Sequence, residues 1–128
     1  MTADPLGRTA AAGSLVRGWL EREARIALET QPLRQALNQR EHYTDLRGVN
    51  HLLSDMSAAE ASLVLALLER HAATLHRGEL AEHLLALDEN SWEPVAAVEA
   101  YGVLAATVAE DWLRRTPLHR ALTERTGQ

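Results

Sequence analysis

The chain has 128 residues, 46% of them hydrophobic and 24% charged, with a formal net charge of −5, which is the length and balance of one soluble globular domain. Its thirteen Lys/Arg positions are all arginine, and it has no cysteine. That excludes a Schiff-base or P-loop lysine, a thiolate nucleophile, a thiolate metal site and any disulfide. The negative net charge argues against general nucleic-acid binding.

Alanine and leucine occur 22 times each, isoleucine once and phenylalanine never, so an all-α fold is expected. Arginine without lysine in an alanine-rich chain also matches the codon bias of a high-GC bacterial genome. Charge is unevenly spread. Residues 1–47 carry seven Arg against six acids, residues 48–111 two Arg against eleven acids, and residues 112–128 four Arg against one acid. Neutralisation of the acidic middle by the basic ends, within the fold or across a dimer, is the simplest reading. A steering surface for a cationic partner is the sharper one. No segment has the pattern of a signal peptide or a bilayer span, so the cytoplasm is the expected location.

Along the chain, residues 1–13 read as a flexible leader broken by Pro5, Gly7 and Gly13. Ser14 would cap a first helix over 14–30, with Val16, Trp19, Leu20, Ala24 and Ala27 on its apolar face and Glu21, Arg25 and Glu29 as an exposed ladder. Pro32 would break it and open a short helix to Arg40. Residues 41–57 are irregular, with Gly48 as a breaker and a single turn over 49–53. Ser57 and Glu60 form a capping box for a helix over 58–77 that stops at Gly78 and holds the run LVLALL at 63–68. A short helix over 79–87, a turn at 88–91, a long helix over 92–115 and a last short helix from Pro117 to Arg125 complete the pattern. Pro32-Leu33, Ala36-Leu37 and Arg40 recur as Pro117-Leu118, Ala121-Leu122 and Arg125, which points to a pseudo-symmetric bundle or to two uses of one helix-start pattern. Trp19, Trp92 and Trp112 are expected as core or interface anchors.

Three constellations are able to carry chemistry. The first gathers His42, Tyr43, Asp45, Asn50, His51, Ser54 and Asp55. On a helical turn His42 would face Asp45, and His51 would face Asp55, giving imidazole–carboxylate pairs for a metal or a proton relay. The competing reading is a polar loop capped by its Asp and Asn side chains. The second is His71, His76 and His83 with Glu69, Glu79 and Glu82. His71 is expected half-buried beside the seam of Val64, Leu68 and Leu75, and His76 at a helix C-terminus. The chain has no Glu-x-x-His motif, which excludes a di-iron carboxylate bundle. The third is Glu99 beside Tyr101 and Gly102, the one charge between Val95 and Ala109, expected on the solvent face of its helix.

The expected structure is a compact helical bundle over 14–126 with about three long helices, several short ones, and proline breaks near 32 and 117. The expected function is a non-enzymatic protein–protein interaction or regulatory module. It would be a homo-oligomer or bind a protein partner, with no catalytic residue, no metal, no cofactor, no nucleic acid and no membrane. The alternatives are a small-ligand or metal-binding bundle, or a small enzyme using His and carboxylate acid–base chemistry around 42–55. Candidate ligand-binding residues are His42, Tyr43, Asp45, His51, Asp55, His71, Glu99 and Tyr101.

Overall fold

In the computed structural model, which describes residues 5–45, 47–89 and 94–127, the first helix α1 (Pro5–Ala36) continues through Pro32. The expected proline break at 32 is therefore absent. A proline inside a helix removes one N–H bond at a cost of about 3 kcal/mol. Here the residues after it, Leu33, Arg34, Ala36 and Leu37, are all buried, and only a continued helix keeps them on the inner face. Because α1 begins at Pro5, the segment read as a leader contributes helical backbone from that residue onward, and residues 1–4 lie outside the described ones.

After α1 come strands β1 (His42–Thr44) and β2 (Asn50–Leu52), a 3-10 turn (Leu53–Asp55), and helices α2 (Ala58–Arg70), α3 (Ala72–Glu89), α4 (Pro94–Ala106), α5 (Ala109–Arg114) and α6 (Pro117–Thr126). The all-α reading holds, with one addition: residues 42–52 form an antiparallel hairpin instead of a loop with a single turn at 49–53. The long helix expected over 92–115 is two helices, α4 and α5, because Val108 turns to extended backbone (φ −62°, ψ 139°). Trp92 lies outside the described residues. No described helix is long and apolar enough to cross a membrane.

The caps follow their sequence signals. Ser57 accepts a hydrogen bond from the Glu60 N–H at 3.1 Å, and Pro117 occupies the first turn of α6. Helix α1 packs on α3, α2 packs on α6, and α3 also receives α4 and α5. Leu37, Leu68, Leu75, Leu113, Leu118 and Leu122 fill the core, each worth about 1.5–3 kcal/mol of burial. The backbone N–H of Leu118 donates to the Leu37 carbonyl at 3.0 Å, so the start of α6 abuts the end of α1.

The expected apolar face of α1 is only partly the buried one: Ala27 is buried and Leu20 half-buried. Trp19 is 42% exposed and Ala24 is exposed, whereas Glu23, Ala27, Thr30, Arg34 and Leu37, alternating four and three apart, are buried. A buried polar seam is stable when its polar atoms find partners, and they do. Arg34 donates from Nε to Thr30 Oγ1 at 2.9 Å, from Nη2 to the Ala27 carbonyl at 2.7 Å, and from Nη1 to Glu79 at 2.9 Å and to Glu82 of α3.

Gly78 explains how α3 comes so close. It lies inside α3 and not at a helix end, so the expected stop at 78 is replaced by a break at His71. A Cβ on Gly78 would sit 2.0 Å from Thr30 Oγ1 and 2.9 Å from Thr30 Cβ. In an exposed helix interior Gly→Ala stabilises by about 0.5–1 kcal/mol. At Gly78 the sign reverses: Gly78→Ala is expected to lower stability by about 2 kcal/mol, the cost of an overpacked contact, as read from the urea midpoint.

Candidate functional site

The 42–55 cluster folds around the hairpin. Its register pairs Tyr43 with His51, His42 with Leu52 and Thr44 with Asn50. A strand period of two replaces the helical spacing on which the expected His42–Asp45 and His51–Asp55 pairs rested. The pair that forms is Asp45 with His51, whose Nε2 lies 2.9 Å from Asp45 Oδ2. Asp45 also shapes the loop: its Oδ1 accepts from the backbone N–H groups of Arg47 and Val49 at 2.9 Å each. Its carbonyl accepts from Gly48, whose φ of +81° needs a residue without a Cβ. The His51 bond, followed by the Val49 N–H, holds the Asp45 carboxyl below its ordinary pKa.

The Tyr43 ring stacks on His51, with centroids 6.1 Å apart, and is buried on the core. Burial, then the nearby Asp45 carboxylate, pushes its phenol above the ordinary value. Two shallow cavities of about 240 Å³ each meet at His51, Met56 and Glu60. Tyr43, Leu63 and Val64 wall one, and Asn50, Leu52 and Asp55 wall the other. Thus Tyr43, Asp45, His51 and Asp55 gather at one end of the molecule, whereas His42, half-buried, faces away by register.

An imidazole held by a carboxylate can pass a proton. Among the described residues the one side-chain hydrogen bond to the His51 ring is that with Asp45. No group of three or more His, Cys, Asp or Glu side chains converges as a metal site among the described residues.

The other candidates are apart from this cluster. His71 caps the C-terminus of α2 and is exposed, not half-buried, because the chain breaks there between α2 and α3. Glu99 is exposed on α4, and Tyr101 is half-buried one residue past Ala100 on the same helix. His76, read as a helix-terminal residue, is buried inside α3, where it donates to the Leu104 carbonyl at 2.8 Å and tilts against Trp112. His119, which no local pattern singled out, is buried with Nε2 3.2 Å from Glu69.

The sequence reading also missed a concave notch of about 410 Å³ lined by Arg40, Arg115, Pro117, Arg120, Ala121 and Glu124. Its signal was present as the four arginines and one acid of residues 112–128, but Arg40 arrives from the far side of the chain. No protein family, curated protein or solved structure matches this chain.

The hairpin carboxylate has a pH signature. Since its pKa is lower in the folded chain, Asp45 contributes stability above its unfolded value, near pH 4, and that contribution is lost as pH falls through the folded value. Asp45→Asn is therefore expected to flatten the acid limb of the stability–pH profile, followed by circular dichroism, and to leave the limb above neutrality unchanged.

Proposed function

We propose that the protein is a non-enzymatic helical interaction module that self-associates through α4. The observation that carries this reading is the outer seam of that helix. Val95, Val98, Gly102 and Ala105, spaced three, four and three, are all exposed, Val95 at 70% and Val98 at 58%. That is the spacing of a helix–helix seam, and it adjoins the side on which Ala97, Tyr101 and Leu104 are half-buried as α4 rests mainly on α3. A mid-helix glycine costs about 0.5–1 kcal/mol relative to alanine. Nothing in this fold makes use of that cost at Gly102, since a Cβ there would meet no atom within 4 Å.

A second copy fits this seam better than a charged partner does. The seam has no charge to select a partner, and a two-fold contact brings small residue against small residue. Glu99 falls to the side of it, where a carboxylate stays hydrated at the rim. The Asp45–His51 dyad supports an enzymatic reading less, because it serves the hairpin turn and, among the described residues, no hydroxyl hydrogen-bonds to His51.

Sedimentation velocity at high micromolar concentration is expected to give a dimer, and Val98→Glu a monomer whose folding stability changes by less than about 0.5 kcal/mol. Gly102→Ala separates the two states of the seam. It should weaken dimerisation if the helices meet there, and only stabilise the helix if the face is free. A wild-type chain that stays monomeric at these concentrations overturns the proposal.

A further inference from the structure

We infer that the notch between the end of α1 and α6 is a binding site for a small phosphate-type dianion, inorganic phosphate or a phosphomonoester. Three guanidiniums reach it from separate parts of the chain: Arg40 after α1, Arg115 at the end of α5, and Arg120 on α6. The hollow, open to solvent and about 410 Å³, falls in the size range of small-ligand sites.

Convergence on one hollow is what distinguishes these arginines, since Arg17, Arg22, Arg25, Arg47 and Arg70 also lack a carboxylate within 4.0 Å among the described residues but are spread over the exposed surface. Arg34, Arg77 and Arg114 each have a carboxylate within ion-pair distance. Arg125 donates to the carbonyls of Met56 and Ser54, both at 2.8 Å. Among the described residues Arg40, Arg115 and Arg120 have no carboxylate within 4.0 Å, although Glu124 lines the same notch. In a chain with a net charge of −5, three unpaired cations around one hollow are not a by-product of basic composition. Their mutual repulsion opposes folding, and an anion seated among them relieves it.

The charge count selects the ligand class. Three guanidiniums and the Glu124 carboxylate leave two positive charges on the wall, and a phosphomonoester carries about −1.5 to −2 at neutral pH. The planar fork of arginine donates paired hydrogen bonds to phosphate oxygens. Pro117, the first residue of α6, forms part of the same wall. Thr116 does not cap that helix, since its hydroxyl donates to the Leu113 carbonyl at 2.6 Å. The positive end of α6 therefore adds to the field of the three side chains.

The test is a calorimetric titration of the full chain with inorganic phosphate, against sodium chloride at matched ionic strength. Saturable binding at one site per chain is expected for phosphate and not for chloride. Arg40→Gln and Arg120→Gln should each weaken it about tenfold, the worth of one charge-assisted hydrogen bond. Glu124→Gln should tighten it, which no loss of folding can mimic. Arg70→Gln, exposed on α2, should leave it unchanged. A phosphate response equal to that of chloride overturns the inference, as does saturable binding that Arg40→Gln leaves intact.

Discussion

A single guanidinium sets the terms on which the two longest helices meet. Arg34 has only 4% of its side chain exposed between α1 and α3. A charge so buried is tolerated only when its donors are matched, and removing one partner of such a group typically costs about 3–5 kcal/mol. Its partners come from both helices: Thr30 and Ala27 one and two turns back along α1, and Glu79 and Glu82 one turn apart on α3. They can converge only if α1 continues through Pro32 and α3 slides until Gly78 sits against Thr30. The proline inside one helix and the glycine inside the other are thus two consequences of one polar contact. An apolar seam would tolerate slippage by a turn, whereas this one leaves a charge uncompensated if it slips.

The rest of the molecule is attached to that pair by apolar burial and by a few bonds to carbonyls. Leu37, Leu75, Leu113 and Leu118 continue the α1–α3 contact into the core, where the buried face of α2 meets α6 through Leu68 and Leu122. The hairpin is tied at both ends. Tyr43 is inserted in the core, the Leu53 N–H donates to the Glu41 carbonyl at 2.9 Å, and Arg125 of α6 holds the carbonyls of Ser54 and Met56. That leaves α4, held mainly by α3, with Val95, Val98 and Val103 toward water. The contact that fixes the helix register and the helix proposed for association are accordingly different elements.

Signals that act within one turn of chain were legible in the sequence. The Ser57–Glu60 cap, Pro117 at the start of α6, the turn at Gly48 and the exposure of Glu99 each depend on neighbours a few residues away. Signals whose meaning depends on a distant partner were misread. A glycine that ends a helix and a glycine that lets another helix approach look the same locally, and only Thr30, 48 residues before Gly78, separates them. The hairpin was hidden because asparagine and histidine at 50 and 51 are poor strand formers in isolation, and the cross-strand stack of Tyr43 on His51 supplies what local propensity lacks. The polar seam of α1 was hidden by the rule that buried faces are apolar, which fails where every polar atom is paired.

The repeated pattern at 32–40 and 117–125 shows how equivalent positions in sequence acquire different chemistry. Its two copies meet instead of mirroring each other, since Leu118, the counterpart of Leu33, donates to the carbonyl of Leu37. Pro32 lies within a helix and Pro117 begins one. Arg125 and Arg40 close the two copies, yet Arg125 turns inward onto two carbonyls while Arg40 lines a hollow with two other arginines. With arginine as the only strong cation in this chain, residue type says nothing about role. What stands opposite each guanidinium decides it: paired carboxylates make Arg34 a fastener, backbone carbonyls make Arg125 a clamp, and Arg40, Arg115 and Arg120, with no carboxylate within 4.0 Å among the described residues, line the notch proposed for an anion.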